Sequence, residues 1–218
     1  MSTKVLYIII FTIFASTSVA QNRILKKFPE GYTPEEVGIK VANRFLSGKH
    51  MLHGGKWIHY AEVCTWYGAV RFASESKNKE LSRQLQERFD FLCTAERDFL
   101  PIKNHVDLNM FGCLPLEFYL ITKEMQYLDL GISYADTQWE LPAEASAEEK
   151  RWADKGLSWQ TRLWIDDMYM IPFLQKQAYR ATGNRKYIDR TARSMAVYLD
   201  ELQRPNGLFY HAPDVPFL

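Results

Sequence analysis

Two aspartates stand side by side in the run Trp159-Gln160-Thr161-Arg162-Leu163-Trp164-Ile165-Asp166-Asp167-Met168-Tyr169-Met170. A carboxylate set among aromatic and apolar neighbours is suited to acid chemistry, because loss of solvent favours its protonated form. The run reads as a helix start. Adjacent helical positions point about 100° apart, so the two carboxylates do not both face one pocket. Asp166 is expected to share a face with Met170 and Phe173, at i+4 and i+7. Desolvation there would raise its pKa and let it hold a proton near neutral pH, as a general acid must. Asp167 would instead favour the helix start through the macrodipole. Chemistry alone leaves open a second reading, in which both are simply helix-start formers.

A second carboxylate at a helix start lies in Asn104-His105-Val106-Asp107-Leu108-Asn109-Met110-Phe111-Gly112. By itself Asp107 reads as an N-cap. Paired across a pocket with Asp166, it becomes half of the usual equipment of glycoside hydrolysis. Trp57-Ile58-His59-Tyr60 offers two aromatics, Trp57 and Tyr60, on one helix face, able to stack on a sugar or to pack in a core. Tyr210-His211-Ala212-Pro213-Asp214 places His211 after a turn, where a residue lines a pocket or is merely structural. No Gly-rich phosphate loop, H-E-x-x-H or G-x-S-x-G run is present. The five histidines are scattered, so no metal site and no cofactor is expected.

These residues need helices to position them. Thr33-Pro34-Glu35-Glu36 is a start signal: Thr33 caps, Pro34 suits the first helical position and Glu36 closes the box. Val37, Val41, Ala42, Phe45 and Leu46 follow at helical spacing. His50 to Lys56, with Gly54-Gly55, reads as a loop. Further helices are expected from Trp57 to Ala73, Lys79 to Thr94, Asp107 to Thr122, Met125 to Trp139, Leu163 to Gly183 and Lys186 to Gln203. Leu141 to Glu149 reads as an exposed loop or short helix, and Pro205-Asn206-Gly207 as a stop. No alternating strand pattern of useful length appears.

The chain repeats itself. Tyr119-x-x-Thr122 is followed by Tyr127-Leu128-Asp129, and Tyr179-x-x-Thr182 by Tyr187-Ile188-Asp189, at identical spacing. Phe72-x-x-Glu75 with Glu80-Leu81 is a weaker copy. Each falls at a helix–turn–helix junction, which means stacked helical hairpins. They could form an open superhelix or a closed toroid. The unusual residues, Trp57, Tyr60, Asp107, Asn109, Trp164 and Asp166, fall on the first helix of each hairpin. That pattern favours an all-α toroid whose inner helices line a pocket.

The 218 residues are 47% hydrophobic and 24% charged, an ordinary globular balance for one core. A net charge of +1 without a basic stripe excludes a nucleic-acid partner. Lys4, the apolar run Val5–Phe14 and Ser18-Val19-Ala20 make residues 1–20 a signal peptide. The run is too short to span a bilayer, and no lipobox cysteine follows. Residues 21–218 are therefore expected to act in the periplasm or outside the cell, with no membrane attachment after cleavage. Cys64, Cys93 and Cys113 are too few and too widely spaced for a disulfide framework or a zinc site. One bridge in an oxidising compartment stays open.

Taken together, several ordered motifs resemble the unsaturated rhamnogalacturonyl hydrolases, glycoside hydrolase family 105, related to the unsaturated glucuronyl hydrolases of family 88. They are Asn104-His105-Val106-Asp107-x-Asn109-x-Phe111-Gly112-x-Leu114-Pro115-Leu116-Glu117, Tyr127-Leu128-Asp129-x-Gly131, Ala135-Asp136-x-Gln138-Trp139, Trp164-Ile165-Asp166-Asp167-Met168-Tyr169-Met170 and Tyr210-His211-Ala212-Pro213-Asp214. The resemblance runs from about Thr33 to the end of the chain. It implies a six-hairpin α/α barrel and removal of a terminal Δ4,5-unsaturated uronic acid from short pectin-derived oligosaccharides. It also implies the mechanism: an aspartate protonates the double bond at C4, water adds at C5, and the hemiketal opens and expels the aglycone. Asp166 matches that acid/base and Asp107 the second carboxylate. Tyr60, Met170 and His211 match pocket-lining positions, with Trp57 beside them. No metal or organic cofactor is implied.

The family continues past the histidine loop with a Trp-Gly-Arg-Gly-Asn-Gly-Trp type motif that helps hold the substrate carboxylate. This sequence ends at Leu218, before that point, with roughly three and a half hairpins. It is expected to be the amino-terminal part of such an enzyme, with an open barrel edge and apolar inner faces exposed. Two other readings follow: an inactive or merely sugar-binding fragment, and a hydrolase of unsaturated glucuronyl units from glycosaminoglycans.

Overall fold

The computed structural model describes residues 27–213. The targeting segment expected at residues 1–20 lies outside them, as does Asp214. The described residues fall into two compact units, one ending at Val41 and one beginning at Ala42.

In the first unit the start signal works as read. The Thr33 hydroxyl accepts from the Glu36 backbone N–H at 3.2 Å, and the Glu36 carboxylate accepts from the Thr33 N–H at 2.9 Å. This reciprocal box opens α1, Pro34–Leu46. Lys40 Nζ reaches back to the Gly31 carbonyl at 2.9 Å.

In the second unit Leu52–His53 (β1) pairs antiparallel with Trp57–Ile58 (β2). Gly54 and Gly55 both have positive φ, 57° and 73°, which the tight connection requires. Here the sequence reading is corrected. Trp57 is not on a helix, because His59 takes the cap position: its Nδ1 accepts from the Ala61 N–H at 3.1 Å. Helix α2 therefore begins at Tyr60 and runs to Glu75, so Trp57 and Tyr60 share no helix face. Helix α3 spans Lys79–Thr94, capped by Asn78. Val106–Asn109 (α4) passes through a 3-10 turn, Met110–Gly112, into α5, Cys113–Thr122. Helix α6 is Met125–Thr137. The stretch expected as loop or short helix yields α7, Ala147–Asp154, opened by a Ser146–Glu149 capping box. Helices α8, Asp167–Thr182, and α9, Arg185–Leu202, follow. α8 starts four residues later than the sequence suggests, because Leu163 takes a left-handed φ of 58° and turns the chain.

The hairpin repeat is structural. In one copy the Thr122 hydroxyl donates to the Phe118 carbonyl at 3.0 Å and accepts from the Glu124 N–H at 3.2 Å. In the other, Thr182 does the same with Ala178 and Asn184, at 2.8 and 3.1 Å. Between them sits a left-handed residue, Lys123 in one (φ 67°) and Gly183 in the other (φ 70°), each sending its N–H back to the tyrosine carbonyl four residues earlier. The next tyrosine, Tyr127 or Tyr187, is buried.

Each hairpin packs its two helices together: α2 on α3, α5 on α6, α8 on α9. The first helices also pack side by side, α2 against α5 and α5 against α8. Between the rows lies an aromatic core in which Phe89 meets Phe118 at 4.9 Å and Trp66 at 5.7 Å. Close approach of the 3-10 turn to α6 needs two glycines. A Cβ on Gly131 would lie 2.4 Å from Leu116 Cγ, and one on Gly112 would lie 2.6 Å from Tyr134 Cβ.

Candidate active site

Asp107 is at the start of α4, and Asp166 immediately precedes α8. Neither caps its helix. His105 caps α4, its Nδ1 accepting from the Asp107 N–H at 3.3 Å. Asp166 occupies the cap position of α8 without a side-chain capping bond. Both carboxylates are thus left for other partners, and they find the same one. Arg162 Nη2 donates to Asp107 Oδ1 at 3.1 Å and lies 3.5 Å from Asp166 Oδ2.

Arg162 is the residue that sequence reasoning missed. Its position four residues before Asp166 and five before Asp167 was a signal, since opposite charges at that separation pair readily. The pairing here is not helical, however. The left-handed turn at Leu163 folds the chain back, and the Arg162 backbone N–H donates to Asp167 Oδ2 at 3.0 Å while Nε donates to Asp167 Oδ1 at 3.1 Å. Trp164 stacks over the guanidinium, 4.6 Å from ring centroid to Cζ.

The two adjacent aspartates part company as their helical angle requires, but burial falls on the one not expected. The Asp167 side chain is 0% exposed and that of Asp166 is 40% exposed. Burial pushes the Asp167 carboxyl above the usual aspartate range, opposed by the hydrogen bonds and charge of Arg162. The Tyr198 hydroxyl on α9 also donates to Asp167, at 3.3 Å. Burial works against the Arg162 cation too, yet bonding to Asp167 and the charges of Asp107 and Asp166 raise its pKa. The expected desolvation is therefore present one residue along, because position 167 turns into the α8–α9 interface. Asp166 Oδ1 nonetheless lies buried with no hydrogen-bond partner among the described residues.

The histidines frame this cluster. His105 Nδ1 is 3.7 Å from Asp107 Oδ2. Burial pushes its pKa down; Asp107 opposes that, while Arg162 and His53 of β1 reinforce it. The His211 carbonyl accepts from the Ile165 N–H at 2.8 Å, and its ring lies 5.7 Å from Trp164. This brings the carboxy-terminal loop onto the segment that carries Asp166. Met170, one turn into α8, is buried in the core at 5% exposure. Tyr60 and Trp57 lie at the β2–α2 junction, where the His59 ring is 4.3 Å from Tyr60.

Two clefts adjoin Arg162. One, about 300 Å³, is walled by Asn104, His105, Gln160 and Glu148. The other, about 420 Å³, is walled by Trp164, Trp152, Lys155 and Glu148. A half-exposed carboxylate with an unpartnered oxygen and a second carboxylate, both within reach of a cation that itself lines two clefts, can serve acid–base chemistry on a small polar substrate. Among the described residues, no group of three or more His, Cys, Asp or Glu could hold a metal ion. No helix of the described residues is long and apolar enough to cross a membrane.

Residues 36–216 match the family model described as Glycosyl Hydrolase Family 88. No curated protein and no solved structure matches the chain.

Proposed function

The chain belongs to glycosyl hydrolase family 88, and on that premise we propose that it removes the terminal Δ4,5-unsaturated uronic acid from short rhamnogalacturonan-derived oligosaccharides. The observation that carries this reading is the convergence of Asp107 and Asp166 on one guanidinium, at 3.1 and 3.5 Å. Asp166 is the acid. It delivers a proton to C4 of the double bond, and water adds at C5 while the carboxylate left behind takes the water's proton. The C5 hemiketal then opens, leaving a hemiacetal at C1 that expels the aglycone. Asp107 is the second carboxylate, stabilising positive charge that develops on the ring. Tyr60, His211 and Trp57 supply the pocket wall, while Met170, expected there as well, is buried in the core. The first helices α2, α5 and α8 form part of an α/α toroid, with Tyr60 at the start of α2, Asp107 on α4 ahead of α5, and Asp166 and Met170 at or near the start of α8. Residues 1–20 carry the chain out of the cytoplasm.

The test is turnover of unsaturated rhamnogalacturonan disaccharide, followed by loss of the double-bond absorbance. Faster turnover of an unsaturated glucuronyl disaccharide from a glycosaminoglycan would move the assignment to that substrate. No turnover of either, with calorimetric binding, would make the chain a sugar-binding domain.

A further inference from the structure

We propose that Arg162 is a positioning residue that gives the two reacting carboxylates opposite roles, clamping Asp107 as the anion and leaving Asp166 to hold and deliver the proton. This rests on the reaction proposed above.

The guanidinium has little freedom. Asp167 fixes it through two contacts, to Nε and Nη2, and is itself fixed by the Arg162 backbone N–H and by Tyr198. Trp164 covers one face of the guanidinium at 4.6 Å. With the plane set, Nη2 reaches the two reacting carboxylates unequally: Asp107 lies at full hydrogen-bond distance, 3.1 Å, and Asp166 at the limit, 3.5 Å.

Charge points the same way. Three carboxylates meet one guanidinium, and like charges this close do not all ionise easily. His105 adds no dependable cation, since burial disfavours its charged form. One proton on the cluster relieves the excess. Asp107 holds a strong donor that favours its anion, and at Asp167 the bonds from the Arg162 N–H, Nε and Nη2 and from Tyr198 oppose the upward push of burial. Asp166 holds the weakest, and its Oδ1 is buried without a partner. The Asp166 side chain is 40% exposed, so a proton held on it can be handed out to a bound substrate. The other titratable groups facing the cluster or its clefts are His105, His53 beyond it, Tyr198 of α9, Glu148 of α7 on both clefts, Glu149 on one, Arg151, Lys155 and Glu201 on the other, and His211 against Trp164.

The experiment compares the full chain with Arg162→Gln and Arg162→Lys. The pH profile of kcat/KM is measured on the unsaturated disaccharide, and the aspartate carboxyl carbons are titrated by NMR. Removing the cation raises the pKa of the carboxylate it clamps. In Arg162→Gln the acidic limb of the profile, which requires ionised Asp107, should therefore move up by about one pH unit or more. In the same variant kcat should fall about 10-fold or more while KM changes little. Arg162→Lys should restore the limb but not kcat, since a lysine keeps the charge and loses the forked geometry. An unmoved limb in folded Arg162→Gln, or wild-type kcat in Arg162→Lys, would overturn the proposal. If the wild-type chain turns over no unsaturated disaccharide, the functional reading fails. The NMR titration then still decides the clamp: the Asp107 carboxyl must titrate at higher pH without Arg162, and an unchanged titration overturns it.

Discussion

Arg162 Nη2 donates to Asp107 Oδ1 at 3.1 Å, joining two residues that lie 55 positions apart in the chain. That contact ties the α4 start to the α8 start and sets the Asp107 and Asp166 carboxylates around one cation.

Asp166→Asn removes the transferable proton and leaves the shape. It should lower kcat on the unsaturated disaccharide by about 10²–10⁴-fold. The side chain is half-exposed and caps nothing, so urea unfolding should move by less than about 0.5 kcal/mol. Near-normal turnover by this variant would remove Asp166 from the acid role.

Asp167 behaves oppositely: its weight is in stability. Asp167→Ala breaks a buried pair and should cost about 3 kcal/mol in urea denaturation. Its pH dependence has a definite sign. Folding raises the Asp167 pKa through burial. Its stabilising contribution is therefore complete below the ordinary aspartate pKa of about 3.9 and is lost as pH rises through the raised folded value. Relative to Asp167→Asn, the wild-type unfolding free energy should fall with rising pH in that window. A parallel pair of curves would show that burial does not raise it.

Gly131→Ala tests the close approach of α6 to the 3-10 turn. An alanine would usually help a helix by about 1 kcal/mol. Here its Cβ would meet Leu116 Cγ at 2.4 Å and the Gly112 carbonyl at 3.0 Å. Overpacking should win, with a net loss of about 1–3 kcal/mol in thermal or urea unfolding.

The two repeat turns make a matched comparison. Gly183→Ala meets no atom within 4 Å, so its cost is the left-handed backbone alone, about 1–2 kcal/mol. Lys123 already carries that conformation with a side chain, at φ 67°. Lys123→Ala should therefore cost under about 1 kcal/mol, chiefly the cation–π contact with Tyr119 at 5.3 Å. Equal losses at both sites would contradict the backbone account.

The cysteines are all free, with Cys64 exposed and Cys113 buried. A thiol reagent should modify Cys64 first in the native chain and all three after denaturation. Burial pushes the Cys64 thiol up, and the Cys93 thiol up to about 11, so native modification should be slow at neutral pH and faster as pH rises.

Much of the fold was legible because it is written locally. The Thr33–Glu36 box, the Asn78 start of α3 and the matched Thr122 and Thr182 turns are each set by residues within a few positions of one another, so spacing alone exposes them. Where local signals compete, the sequence misleads. Trp57-Ile58-His59-Tyr60 carries helical spacing, yet the glycine turn before it pairs Trp57 and Ile58 with Leu52 and His53, and His59 caps from outside the helix. Likewise nothing in the Trp159–Met170 run announces that Leu163 takes φ 58°.

The sequence by itself determined the helical hairpins, their repeat and the two carboxylate-bearing segments, because periodicity, caps and turn residues act over a few positions. Tertiary structure alone decided which aspartate is buried and which cation they share. Asp166 and Asp167 are chemically identical neighbours, and only the packing of α8 on α9 turns Asp167 inward to Tyr198. Only the fold brings Asp107, 55 residues away, to Arg162. Desolvation and charge pairing depend on distance through space, which a sequence does not carry.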